Sequence, residues 1–154
     1  MGQRVLKLFK GVLTFYDCDG NVINTYGATT GRVGATDPKR NNQGPTPPGT
    51  YTLYPNEVSD GTYGKAIIWN RFYGDWGKYR VPLHPNEGTN TSGYEGTRDG
   101  FFLHGGNSFG SAGCIDVGEH DVELFPLIMQ SNDPILVIVT KYPNTWTNSD
   151  YEIV

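Results

Sequence analysis

A single, mainly β domain is the fold that this sequence predicts, and three observations carry the expectation. Twenty-one glycines and ten prolines are spread along all 154 residues, a distribution that suits many short strands joined by tight turns. Several short stretches alternate apolar and polar residues at the period of a half-buried strand. Only Glu119 to Gln130 carries enough apolar residues over a helical length to form a helix. The length fits one domain with a real core and is short for two. Aromatic residues reach 13% against 36% apolar overall, so a few large rings must supply much of the buried area.

Taken in order, Gly11 to Tyr16 reads as a strand, and Cys18-Asp19-Gly20-Asn21 carries the Asp-Gly hairpin signal. Val22 to Tyr26 is the returning strand. The polar run Thr36 to Gly44 is loop. Pro47-Pro48-Gly49 launches an alternating strand, Thr50 to Tyr54. Ala66 to Trp69 and Tyr79 to His84 read as further strands. Pro85 to Gly100 is a polar, glycine-rich loop, and a loop of that length in a small domain is usually functional or disordered. Phe101-Phe102-Leu103 is a short strand ending on His104. In the helix, Pro126 removes an amide donor and predicts a short or broken element. Pro134 to Thr140 is the best buried strand.

Net charge is −4 with no basic cluster, which argues against a nucleic-acid surface. The opening residues Met1 to Lys7 hold no apolar run long enough for a signal peptide or a membrane span. Position 6 lacks the Ser or Thr of a myristoylation site. Two cysteines permit one bridge, Cys18–Cys114, but a thiol inside a chemical motif is more useful free. No metal or cofactor is expected: His104, Cys114, Asp116 and His120 include ligand types but no closely paired ligand motif.

Reactive residue types concentrate between His104 and Asp116. A thiol attacks only as thiolate, and its ordinary pKa of ~8.5 leaves little at neutral pH. A histidine within hydrogen-bond reach accepts that proton and later delivers one to a leaving amine. Glycines after His104 let the chain double back toward Cys114. Small neighbours leave the amides of Gly113 and Cys114 free to stabilise an oxyanion. On residue types alone this reading and an inert core cysteine stand level.

Leu103-His104-Gly105, Ser111-Ala112-Gly113-Cys114-Ile115 and the upstream Thr46-Pro47-Pro48-Gly49-Thr50-Tyr51 together resemble the YkuD-type L,D-transpeptidases. Those enzymes carry a strand-end His-Gly, a Ser-x-Gly-Cys, and a Thr-Pro-x-Gly strand start before both. The opening hairpin and Gly27 to Arg32 fit the same pattern, so the likeness runs from about Val12 to Val139. The short spacing from His104 to Cys114, with Gly106 and Gly110, looks most like the compact type VI secretion L,D-transpeptidase effectors. The resemblance implies a YkuD-like β-sandwich or barrel with one or two short helices. It implies Cys114 as nucleophile, His104 as base, the Gly105 carbonyl as the group that sets the imidazole tautomer, and a peptidoglycan stem peptide as substrate. Transfer of the acyl group to an amine, a D-amino acid or water would give cross-linking, exchange or carboxypeptidase action. It further implies action in the periplasm or cell wall, delivery by a secretion system or within a larger assembly, and an immunity protein if the chain is a toxin.

Two departures bear on substrate preference. Ala112 stands where many relatives have a second histidine, and Asp116 where many have Arg or Asn. Ser111 is read as support for the thiol or imidazole, or as a turn residue. Asp116 is read as a substrate contact or a loop-amide acceptor; Arg80, Arg98 and Gly106 complete the substrate-binding candidates. His84 reads as a loop histidine, and His120, with Glu119 and Asp121, as a solvated helix start. Tyr63, Trp69, Phe72, Tyr73, Trp76 and Tyr79 offer rings for a glycan or for the core. Two other functions compete: a non-catalytic peptidoglycan-binding or phage-particle module, and a papain-like cysteine amidase or endopeptidase. The latter class places its cysteine at a helix start with the histidine downstream, the reverse of the order here.

Overall fold

The computed structural model describes residues 2–31, 38–39, 41, 44–60, 79–105 and 111–141. The fold is mostly β, as expected, and the described residues form two main sheets and one short α-helix. β1 (Val5–Phe9) and β2 (Val12–Tyr16) form an antiparallel hairpin. Its two turn residues, Lys10 and Gly11, both have positive φ, 48° and 78°, the backbone hand that matches strand twist in a two-residue hairpin. β1 was not among the expected strands, although Leu6 and Leu8 alternate with Lys7. β3 (Val22–Gly27) returns along β2 after the Asp-Gly turn.

β5 (Gly49–Leu53) and β13 (Ile135–Val139) continue this sheet, and β13 pairs parallel with β1. With β8 (His84–Pro85) at the edge, the order is β3-β2-β1-β13-β5-β8. Register places Leu6 opposite Phe15 and Val137, Leu8 opposite Leu13 and Val139, and Val137 opposite Tyr51. All of these are buried, so one face of the sheet is continuously apolar.

The second sheet has the order β4 (Thr29–Gly31), β12 (Ser111–Asp116), β11 (Phe102–His104), β7 (Tyr79–Pro82) and β6 (Ser59–Asp60). Its apolar face presents Val81, Leu103 and Ile115 in one cross-strand row. These join the first sheet's buried residues and Leu124, Phe125 and Ile128 of α1 in a single apolar cluster. α1 spans Asp121–Ile128, preceded by a 3₁₀ turn, Gly118–His120. Pro126 lies inside α1, shortening the element without abolishing it. The expected loop Pro85–Gly100 contains a small hairpin of β9 (Ser92–Gly93) and β10 (Gly96–Thr97). The expected strand Ala66–Trp69 lies outside the described residues, as do Tyr63, Phe72, Tyr73 and Trp76.

The Thr46–Tyr51 motif is a clamp. Thr46 donates its amide to Thr30 Oγ1 (2.8 Å), and the two hydroxyls bond at 2.8 Å. Tyr51 Oη donates to Pro47 O at 2.7 Å, and burial pushes the Tyr51 phenol well above its ordinary pKa. Gly49 has φ of 145°, and a Cβ there would meet Thr89 Oγ1 at 2.6 Å. This clamp ties the start of β5 to β4, and so joins the two sheets.

Arg4 closes the other end. Its guanidinium donates to Leu127 O (3.0 Å), Ile128 O (3.0 Å) and Ser131 O (3.3 Å). Those carbonyls at the end of α1 have few intrahelical donors, and a cation there also opposes the helix dipole. Arg4→Ala is therefore expected to lower unfolding free energy by about 1.5–3 kcal/mol, the range for hydrogen bonds made by a charged group. Urea unfolding checks this, and an unchanged midpoint would count against the cap.

Candidate active site

His104 ends β11 and Cys114 lies within β12, two parallel neighbours. Leu103 pairs with Ile115 and His104 with Asp116. Successive side chains of a strand face opposite sides, so His104 and Asp116 occupy the face away from Leu103 and Ile115. Cys114 precedes Asp116 by two positions and stands outside the apolar cluster that holds Ile115. Regular strand spacing and rise, counted from the His104–Asp116 pair, would set the Cα atoms of His104 and Cys114 about 8 Å apart.

The ladder extends both ways. Arg80 lies opposite His104 on one side, Asp116 on the other, and Thr29 beyond Asp116. One sheet face therefore packs the core while its reverse carries Arg80, His104, Asp116 and Thr29 in a row.

His104 is buried, 2% exposed. Its Nδ1 lies 2.6 Å from Gly105 O. A carbonyl only accepts, so Nδ1 carries the hydrogen and Nε2 is the basic nitrogen of the neutral ring. The histidine's own carbonyl accepts from Val117 N (2.9 Å), and Gly105 N donates to Tyr79 O (3.3 Å). The imidazole is held by the Gly105 carbonyl, and the main chain around it by Val117 and Tyr79.

Cys114 is also buried, at 3% exposure, and its thiol lies 3.8 Å from Gly100 O, within reach of a long S–H···O bond. Gly100 has φ of 71°, a left-handed conformation that favours glycine just before β11. Cys18 is exposed, and it and Cys114 are not joined in a disulfide. Gly113 and Ser111 belong to β12, whose pairing with β4 shifts register between Ser111 and Ile115. Such a bulge re-aims backbone groups next to it. Gly106 lies outside the described residues.

Asp116 is buried, and its Oδ1 accepts from Gly118 N at 2.8 Å, forming the turn that leads into α1. Arg80 is half-buried with its guanidinium 5.9 Å from the centre of the Phe102 ring, and burial lowers its pKa. Arg98 is buried and donates to the carbonyls of Pro38, Gly44 and Pro45. It anchors the main chain at Pro38, Gly44 and Pro45 and stacks over Phe101. His84 sits on the edge strand β8 and bonds Glu57 at 2.7 Å; both are exposed. His120 is exposed, against Tyr26.

Two groups escaped the sequence reading. Gly100 gave no signal beyond being a glycine before a strand. Asp121, taken as part of a solvated helix start, is buried at 3% exposure. Its carboxylate occupies the space where Gly105 would carry a Cβ. Among the described residues no group of three His, Cys, Asp or Glu is arranged to hold a metal, and no helix is long and apolar enough to cross a membrane.

A family model described as the YkuD L,D-transpeptidase catalytic domain matches residues 10–137. Among solved structures, an L,D-transpeptidase from Stackebrandtia nassauensis superposes with a TM-score of 0.55 at 20% identity, covering 93% of this chain and 58% of that one. An L,D-transpeptidase segment from Xylanimonas cellulosilytica gives a TM-score of 0.50 at 16% identity, covering 90% and 60% respectively. The chain thus spans about three-fifths of the length of these solved relatives, and at such identities the likeness speaks to the fold. No curated protein matches the sequence.

The Arg98 contacts make a separate expectation. Arg98→Leu leaves buried carbonyls without their donor, at about 1–3 kcal/mol for each group left unsatisfied. Amide hydrogen exchange should rise in residues 38–45 and in β9–β10, with a lowered unfolding midpoint. Unchanged exchange in both segments would refute the anchor.

Proposed function

The chain belongs to the YkuD L,D-transpeptidase catalytic domain family, and on that premise we propose that it transfers acyl groups of peptidoglycan stem peptides through Cys114. The observation that carries the proposal is the bond from His104 Nδ1 to Gly105 O, on a strand paired in register with the strand that bears the cysteine. That bond leaves Nε2 as the base, on the same face as the thiol.

In the proposed reaction, His104 Nε2 takes the thiol proton and Cys114 Sγ attacks the carbonyl of an L–D peptide bond. The new C–S bond gives a tetrahedral oxyanion, toward which the amides of Gly113 and Cys114 donate. Collapse breaks the C–N bond, and His104 returns its proton to the departing amine. An incoming amine or water then attacks the thioester, loses a proton to His104, and releases the thiol. The three acceptors correspond to cross-linking, D-amino-acid exchange and carboxypeptidase action. Ser111, three residues before the nucleophile, is assigned a supporting role at the thiol or imidazole, and Gly106, two residues after the base, to substrate binding. Arg80, directly across from His104, is the guanidinium assigned to a stem carboxylate; Asp116 flanks the base on the other side. Arg98 shapes the site through the segment it anchors.

The proposed place of action is the periplasm or cell wall. The short His104–Cys114 spacing supports the effector reading, with an immunity protein over the cleft as the expected partner. The order histidine-then-cysteine on paired strands favours this chemistry over a papain-like amidase.

Cys114→Ala should abolish turnover of purified muropeptides, and His104→Gln should lower kcat by about 10²–10⁴-fold, the usual contribution of a general base. Mass spectrometry distinguishes the products: free D-alanine from tetrapeptides supports the proposal, whereas stem–glycan cleavage supports an amidase. Alkylation at pH 6, in a Cys18→Ser background that removes the exposed thiol, should be faster at Cys114 than in a model thiol. A rate no greater than the model thiol's would favour a non-catalytic module.

A further inference from the structure

Asp121 is a carboxylate buried at 3% exposure at the first residue of α1, and the reaction above makes no use of it. Acidic residues are almost never fully buried unless they are paired. Asp121 Oδ2 accepts from Tyr79 N at 3.4 Å. One turn along the same helix face, the Phe125 ring stacks on the Tyr79 ring, 5.3 Å between centroids and 13° from parallel. Helix α1 therefore grips Tyr79 by backbone and by ring. Tyr79 O in turn accepts from Gly105 N at 3.3 Å, and Gly105 O accepts from His104 Nδ1 at 2.6 Å.

Asp121 also touches Gly105 directly. A Cβ placed on Gly105 would run into the Asp121 carboxylate and would lie 2.6 Å from the Asp121 Cβ. The residue after the histidine is thus confined to glycine by packing, because its own φ is not in the left-handed region. The Gly105 peptide is fixed at its amide by Tyr79, at its Cα by Asp121, and at its carbonyl by the imidazole.

We infer that Asp121 is a positioning residue for His104: by holding Gly105 between α1 and β7, it sets the carbonyl that fixes the tautomer and orientation of the imidazole. The inference rests on the reading of His104 as the base, but its geometric content does not require turnover. An acid in a helix's first turn also stabilises the helix dipole by a few tenths of a kcal/mol. That role alone would leave the imidazole unaffected.

The test uses the full chain with three substitutions. Asp121→Ser keeps a helix-start residue but withdraws the carboxylate from Gly105; Asp121→Ala does the same without the hydroxyl. Asp121→Asn keeps an oxygen acceptor in the same place. In the Cys18→Ser background, active fraction is counted by stoichiometric alkylation of Cys114, and the His104 tautomer is read from long-range ¹H–¹⁵N spectra. Asp121→Ser and Asp121→Ala should lower kcat per active site by up to about 100-fold, the scale set by a small misplacement of a reacting group. KM should hold, and the spectrum should pass from the Nδ1–H form to a mixture. Asp121→Asn should retain most of kcat and the Nδ1–H form. If Asp121→Ala fails to fold, Asp121→Ser and Asp121→Asn decide the matter. A folded Asp121→Ser with wild-type kcat and an unchanged tautomer overturns the inference, as does an Asp121→Asn that loses the Nδ1–H form. Should Cys114→Ala leave turnover intact, the transferase reading falls, while the tautomer spectra still decide the role of Asp121.

Discussion

The parallel pairing of β11 with β12 is the constraint on which the remaining structure depends. Parallel strands ordinarily need a crossover of a dozen or more residues, yet only eleven residues separate His104 from its partner Asp116. A return that short permits little choice of register. Here the register sets Leu103 against Ile115 on the core side and His104 against Asp116 on the other. A one-residue slip would exchange the two faces, burying an imidazole and a carboxylate among Leu and Val side chains while exposing Leu103 and Ile115. The cost of that exchange holds the polar row in place. The positions of the histidine and the cysteine are thus set by hydrophobic burial before any specific contact between them.

The outer elements hold that pair of strands at its two sides. β4 borders β12 and is tied to the start of β5 through Thr30 and Thr46, which couples the second sheet to the first. β7 borders β11 and rests on α1 through the stacked rings of Tyr79 and Phe125. α1 is secured at its far end by Arg4, which enters β1, the partner of β13. β11 and β12 are therefore braced from both directions by contacts that begin in the first sheet. Among the described residues the strands are short and the helix has only eight residues, so rigidity comes from these cross-ties rather than from long elements.

Much of this was legible in the residues. Period-2 alternation identified β2 and β5, a continuous apolar run identified β13, and the Asp-Gly turn placed the β2–β3 hairpin. The strand end at His104 followed from the apolar run Phe101–Leu103 stopping at a polar residue. β1 was harder to read because Lys7 interrupts a five-residue apolar pattern, and because one of its two partners, β13, lies far away in sequence. β12 hid behind small residues: Ser111, Ala112 and Gly113 carry little strand propensity, so only Ile115 signals the strand. The site divided along the same line. His104 and Cys114 stood out by residue type, and Gly105 by resemblance. Asp121 did not, since an acid at a helix start is expected to be solvated and only the packing of α1 on β7 buries it. Arg98 looked available for a ligand in sequence, and its carbonyl partners in the 38–45 region are more than 50 residues distant.

The row that includes His104 bears on how the proposed base works. Asp116 stands beside it on β12 and Arg80 beside it on β7. An imidazolium formed by taking the thiol proton would meet a carboxylate on one side and a guanidinium on the other, so the two fields oppose each other. Asp116 is further committed to Gly118 N, and Arg80 leans over the Phe102 ring. Neither is free to follow the proton. Ala112 supplies no second imidazole near the thiol. In the proposed reaction, activation of Cys114 rests less on a net charge around the histidine than on directed hydrogen bonds. The decisive one runs from Nδ1 to the Gly105 carbonyl, because it fixes which nitrogen is basic and where it points. A site organised in this way depends on the exact height of one main-chain carbonyl, and that height is set by the strand and the helix on either side of it.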